Sequence, residues 1–274
     1  MFIIGFYKIK SQKEVEVINM DRADYPILEF DSAKNAVIDP SDLKNGVEVP
    51  EYCVLCFFKE VLDKLVKEKK LKLIANIESE LGKLPIYEIS YQGESVTVLH
   101  PGVGAPLSAG ILEEVIAYGA KKIIACGGAG VLKEDMAVGK LVIPDSAIRD
   151  EGVSYHYLPP GREVNASPNG IESIKTILNK NDVEYVVGKT WTTSALFRET
   201  AEKVKLRKEE GCLTVEMESA AFFAIAEFRR IDFAQILYSG DDVSGEEWDS
   251  RKWATRKSIR EKTFWYAVEA SLNM

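Results

Sequence analysis

The chain has 274 residues, 46% of them hydrophobic and 28% charged, with a formal net charge of −8. That is enough apolar material for one large core, and the length does not require a second one. The acidic balance argues against a nucleic-acid binder, which needs a basic field to meet phosphate, and no apolar run reaches the roughly 18 residues of a membrane span.

Residues 1–50 read as an irregular extension, with short extended pieces and two prolines, Pro26 and Pro40. The opening MFIIGFYKIKSQKEVEV lacks the basic start and small-residue cleavage site of a secretory signal, so a reducing cytoplasm is expected. From Tyr52 the pattern sharpens into a domain expected to span 51–274. YCVLCFF is an apolar run suited to a buried strand, and FKEVLDKLVKEKK spaces apolar residues as a helix does, with lysines opposite. Cys53 and Cys56 form a CxxC inside that strand. Residues three apart on a strand face opposite sides, which is poor metal geometry, so both read as core and no metal site is expected.

LPIYEISYQG and ESVTVLHPG read as a strand pair joined at Gln92-Gly93. PLSAGILEEVIAYG reads as a helix closed by Gly119. KKIIACGGAG is a strand running into glycines, and GKLVIPDSAIRDEG is another strand. IESIKTILNKND is a helix, VEYVVGKTWTT a strand, and ETAEKVKLRKEEG a charged helix ended by Gly211. CLTVEMESAAFFAIAEFRR begins as a strand and becomes an apolar helix. FAQILYSGDD is a strand ending in acids, and SRKWATRKSIREKTFWYAVEASL a long last helix. This alternation predicts a single α/β domain with a twisted mixed sheet flanked by helices.

In such sheets ligands gather beyond the carboxyl ends of strands, and three ends carry polar cargo. The GGAG at Gly127 to Gly130 would let a flat ligand or an anion approach the backbone, or is a tight turn. VEMES, Val215 to Ser219, places Glu216 and Glu218 two apart at a strand-to-helix transition. Their carboxylates suit a ribose diol, or serve the helix dipole. LYSGDD ends in Asp241 and Asp242, either of which could donate a proton to a leaving base or cap a turn.

Together these segments resemble the uridine phosphorylase and hexameric purine nucleoside phosphorylase family. The resemblance runs from about Tyr52 onward through HPGVGAP (100–106), CGGAG (126–130), RDEGVSYHYLPP (149–160), WTTSALFRET (191–200), VEMESAA (215–221) and YSGDD (238–242). It implies phosphorolysis of a nucleoside, uridine or purine, to free base and ribose 1-phosphate. Inorganic phosphate would be the co-substrate, with no cofactor, in a homo-oligomer (a hexamer or a dimer). It places Met217 under the ribose, Glu218 on its hydroxyls and Glu216 nearby, with His156 near the sugar. Phe197 would stack on the base, Gly127 and Gly128 would line the base and phosphate pocket, and Asp241 would protonate or hold the base, or Asp242 if the match slips by one.

Two departures stand out. The family's phosphate loop, Gly-Asp-Pro-x-Arg, is CFFKEV here, and its second phosphate arginine is Ala125. The basic candidates left are Arg198, Arg149 and Lys59. A hydrolytic branch also lacks those arginines and uses a glutamate to activate water, and Glu60 falls near that place. A nucleosidase with Glu60 as base, and a binder that has lost turnover, are therefore the rival readings.

Overall fold

The computed structural model describes residues 22–245 and 247–274, so residues 1–21 of the expected extension lie outside the described residues. Its strands are β1 Tyr52–Cys56, β2 Lys72–Ser79, β3 Gly82–Tyr91, β4 Glu94–Leu99, β5 Lys122–Val131, β6 Leu141–Asp150, β7 Glu163–Asn165, β8 Tyr185–Thr193, β9 Cys212–Glu216 and β10 Asp232–Asp242. Its helices are α1 Lys59–Lys67, α2 Ala105–Tyr118, α3 Pro168–Lys180, α4 Ala201–Glu209, α5 Ser219–Arg229 and α6 Lys257–Leu272. The result is the mixed α/β fold that the alternation predicts.

The strands form one sheet in the order β10-β6-β8-β9-β5-β1-β4-β3-β2, with β7 on β6. β5 also pairs in parallel with β10, so five strands close into a ring and four run outward from it. Pairing is mixed: β1 is parallel to β4 and β5, whereas β9 runs antiparallel to β5 and β6 antiparallel to β10. At its far end β10 carries a register irregularity against β5 between Ser239 and Asp242.

Strand alternation sorts the core into two layers. Val54, Cys56, Ile124, Cys126, Ile236 and Tyr238 pack with α1, α3 and α6. Cys53, Leu55, Ile123, Ala125 and Phe233 pack on the other face with α2 and α5. Cys53 and Cys56 thus face opposite ways, as a strand requires, and both are free, buried thiols. The run SAAFFAIA of α5 is buried along its whole length. Burying one phenylalanine such as Phe222 is worth about 1.5–3 kcal/mol, so this helix is firmly anchored.

Several details depart from the sequence reading. Lys72–Ser79 and Glu163–Asn165 are strands that the pattern did not announce. β2 lies at the sheet's edge with a single buried residue, Ile77, which removes the apolar alternation that marks a strand. The glycines after Ala125 are not a turn, because β5 continues through them to Val131. The last helix begins at Lys257 rather than near Ser250, after a 3₁₀ turn at Trp253–Thr255. Gln92 and Gly93 do form the β3–β4 turn, both at positive φ, as a tight hairpin demands.

The described part of the extension has two 3₁₀ turns, Pro26–Leu28 and Pro40–Leu43. Val49 N–H donates to the Tyr118 carbonyl at 3.2 Å, and Val47 and Val49 pack against the α2 layer. Among the described residues no helix is long and apolar enough to cross a membrane.

Candidate active site

The two glutamates of VEMES divide their work. Glu216 ends β9 and is 6% exposed. Its Oε2 accepts the backbone N–H groups of Glu218 and Ser219, both at 2.7 Å, and its Oε1 accepts the Thr192 hydroxyl at 2.6 Å. Thr192 Oγ1 in turn accepts the N–H of Ala220 at 2.9 Å. The first N–H groups of a helix need outside acceptors, and here Glu216 and Thr192 supply them for α5. Burial raises the Glu216 carboxyl above the usual range while these donors oppose the shift.

Glu218 sits at the N-cap position of α5, yet its side chain takes no part in capping. Its Oε1 accepts the N–H of Gly104 at 2.5 Å, from the loop that opens α2. Burial, and then the neighbouring charge of Glu216, push its carboxyl up to about 8. Because Glu216 has taken over the cap, Glu218 is left with acceptor capacity beyond its Gly104 bond. Met217 between them is half-buried.

Beside Glu218 lies a wall that sequence reasoning did not single out. His100 follows β4, and its Nδ1 accepts the Gly102 N–H at 3.0 Å. Its ring meets Phe57 edge-on, with centroids 5.9 Å apart. Burial chiefly, and then the charge of Lys59, lower its pKa, while the Phe57 backbone opposes them. The HPGVGAP segment held the only signal for it, since the chain has just two histidines.

β5 forms the floor. A Cβ at Gly127 would stand 3.1 Å from the Phe57 ring, and one at Gly130 would stand 3.0 Å from Val215 and 3.9 Å from Asp241 Oδ1. A larger residue at either position would crowd those neighbours, so the glycines permit β1, β9 and β10 to approach β5 this closely. At Gly128 the near neighbour is Tyr238, at 3.0 Å.

The end of β10 is built differently. β10 delivers two aspartates with separate duties. Asp242 is ion-paired with Arg251, its Oδ1 accepts the Ser244 N–H at 2.8 Å, and its backbone bridges Asp249. Asp241 instead accepts the indole N–H of Trp248 at 2.7 Å through Oδ2. Glu199 is half-buried close enough to feel the charge of Asp241; burial first, then Asp241, push it up to about 7. Glu199 lies two residues beyond Phe197, on the 3₁₀ turn Leu196–Arg198, and Phe197 is 90% exposed.

The basic candidates are dispersed. Arg149 is 5% exposed and spends its guanidinium on Ser154 Oγ at 2.9 Å and the carbonyls of Pro159 and Leu158 at 2.8 and 3.2 Å, stacked on Tyr155. It organises the 154–159 loop. Lys59 is exposed and paired with Asp63 at 2.7 Å. Arg198 is exposed next to Phe197. Ala125 is buried in the α2–α5 layer. His156 is exposed on the 3₁₀ turn Ser154–His156. Glu60 lies 2.8 Å from Arg260 Nε, at an angle that leaves both atoms without a hydrogen bond. It lines a separate cleft of about 510 Å³ with Asp63, Lys64, Lys67, Glu68 and Lys257.

The structure brings Glu216 and Glu218 together at the start of α5 and Glu199 within electrostatic reach of Asp241, with Gly130 touching both Val215 and Asp241 between them. Arg149 and Asp242 are held in structural networks, and Glu60 opens on its own cleft.

The phosphorylase superfamily model matches residues 51–264. Among curated relatives, a guanosine phosphorylase of Halorubrum lacusprofundi is 30% identical over 141 residues, covering 52% of this chain and 58% of its own. A DeoD-type purine nucleoside phosphorylase of an Exiguobacterium species is 27% identical over 159 residues, covering 56% of this chain and 65% of its own. The chain thus spans less than two thirds of the length of these relatives. Among solved structures, uridine phosphorylase of Vibrio fischeri superposes with a TM-score of 0.70 at 22% identity, over 83% of this chain and 95% of that one. AMP nucleosidase of Bacteroides thetaiotaomicron superposes with a TM-score of 0.66 at 21% identity, over 81% and 87%.

Proposed function

The chain belongs to the phosphorylase superfamily, and from that premise we propose that it is a nucleoside phosphorylase, exchanging a nucleobase for phosphate on C1 of ribose. The observation that carries this is Glu218: buried, relieved of helix capping by Glu216, and met by backbone N–H groups of Gly104 and Met217. Such a carboxylate is suited to hold two sugar hydroxyls and to face the positive charge that grows on the ring as the glycosidic bond breaks. Met217 is the apolar support for the sugar. At the other end Asp241, with Glu199 beside it, meets the leaving base, on which negative charge grows. Phe197 offers a face for stacking. Gly127 and Gly128 leave room for base and phosphate. Phosphate attacks C1 from the side opposite the base, and the base leaves with a proton. The relatives named for guanosine and purine substrates favour a purine.

In this reading residues 1–50 are an N-terminal extension of a 51–274 catalytic domain. The enzyme is a homo-oligomer, works without a cofactor, and takes phosphate as its co-substrate. Arg198 and Lys59, whose side chains are exposed, are the remaining cations for that phosphate.

The test is a panel of purine and pyrimidine nucleosides incubated with and without phosphate, with free base and ribose 1-phosphate measured. Release that requires phosphate is expected; release indifferent to it would favour a hydrolase, and no release would leave a binding protein.

One observation favours the hydrolytic reading as the second choice. The place of a phosphate arginine is the buried Ala125, and Arg149 has its donors occupied. Water would then take the place of phosphate as the nucleophile, while Glu60, the base expected from the sequence, lines a different cleft.

A further inference from the structure

Trp248 is the most exposed of the four tryptophans. It is 65% accessible, whereas Trp191 is fully buried and Trp253 and Trp265 are partly so. An exposed indole gains little from apolar burial. Among the described residues, the polar contact that holds this one is its Nε1–H on Asp241 Oδ2 at 2.7 Å. The surrounding segment is tied down on its own account. Asp242 N–H donates to the Asp249 carbonyl at 2.8 Å, Asp249 N–H returns the bond at 3.0 Å, and Arg251 pairs with Asp242. The Trp248 side chain can therefore turn about its own bonds without unpinning the backbone around it.

The chemistry of the contact is specific. An indole is a flat ring carrying one N–H, and so is the five-membered half of a purine. Glu199, half-buried, is within electrostatic reach of Asp241, and it directly follows the turn that carries Phe197, which is 90% exposed. Asp241 Oδ1 points toward Gly130, where a Cβ would be 3.9 Å away, which keeps that side clear. Among the described residues, the titratable groups that interact with Asp241 are Glu199 and Tyr238, and the Trp248 N–H is its hydrogen-bond donor.

We propose that Trp248 is a gate on the base end: its indole N–H and the ring N–H of a nucleobase compete for the same oxygen of Asp241, so that a base enters as the indole leaves. This rests on the nucleoside reading of the site and adds to it a residue that sets base affinity. The partner it selects is a flat heteroaromatic ring with an N–H donor next to a ring edge. Trading one hydrogen bond for another keeps Asp241 partnered throughout, which avoids stranding a half-buried carboxylate.

The test uses the full chain and three free bases, adenine, hypoxanthine and uracil, titrated by intrinsic fluorescence and by calorimetry. Binding of a purine base is expected to shift the emission of the wild type, and the shift is expected to vanish in Trp248→Phe. That variant keeps a ring but has no N–H to compete, so its Kd for the base is expected to fall about three- to tenfold. A Kd that rises would make Trp248 a stacking wall and overturn the gate, and a Kd that does not move would overturn it as well. If base binding shifts Trp248 emission in a protein that releases no base from any nucleoside, the gate stands and the phosphorylase reading falls. If base is released while Trp248 emission never moves, the gate falls and the phosphorylase reading stands. A protein that binds none of the three bases defeats both.

Discussion

The glutamate end and the aspartate end of the candidate site are built on opposite principles. At the glutamate end Glu216, Thr192, Gly104 and Glu218 are interlocked by short hydrogen bonds in a buried setting. At the aspartate end Phe197 and Trp248 stand out in solvent, and the Trp248 indole bonds Asp241. The first arrangement fixes geometry before a ligand arrives, as charge stabilisation in a transition state requires. The second leaves side chains free to change partners, as entry and discrimination require. The buried acids belong to the rigid half, and the exposed rings to the adaptable one.

Three substitutions test this contrast. The largest effect is expected at Glu218. Glu218→Gln should lower kcat/KM for base release by about 10²–10³, the usual scale for removing one charge-stabilising group. The same variant carries a pH signature. A carboxyl pushed up to about 8 keeps a proton in the folded chain that the unfolded chain loses near 4.5. Folded stability should therefore decline as pH climbs from about 4.5 to about 8 and level off above. If the working form is the carboxylate, kcat/KM should rise over the upper part of that range. Glu218→Gln should erase the Glu218 part of both trends; stability and rate profiles that are unaltered would break the assignment.

Next comes Glu216. Glu216→Ala removes acceptors from two helix N–H groups and from a buried threonine, so unfolding free energy should drop by about 2–3 kcal/mol. Denaturant titration measures this, and a loss below about 0.5 kcal/mol would show that Glu216 does not hold α5. Phe197 should give the smallest change in stability. At 90% exposure, Phe197→Ala should move the unfolding free energy by no more than about 0.5 kcal/mol. Its KM for nucleoside should nonetheless rise severalfold. A stability loss larger than this would mean the ring belongs to the rigid half instead.

Much of the architecture was readable from periodicity and turn residues. The hairpin at Gln92-Gly93, the helix ending at Gly119 and the opposed cysteines of β1 all follow from local rules. β2 escaped because an edge strand with most residues in water has no apolar face to advertise. The β5 glycines look like a turn until β9 and β10 are known to press against them.

The candidate residues could be picked from the sequence, but not the partners that each one has. Two acids two apart announce a polar strand end. Which of them caps the helix depends on Thr192 and Gly104, which are distant in sequence. The partners of Arg149 are two carbonyls and a serine of a loop whose path no pattern reveals. His100 was passed over because its role comes from packing against Phe57.

The irregular stretch of β10 between Ser239 and Asp242 has a bearing on how this chain tolerates change in length. One residue more than the β5 ladder needs is accommodated there, and that offset is what separates Asp241, turned to Gly130 and Trp248, from Asp242, turned to Arg251. Deleting Gly240 would restore an even ladder, with Asp241 opposite Gly130 and Asp242 still opposite Val131. A single codon lost at this point would draw Asp241 into the ladder while Asp242 kept its arginine.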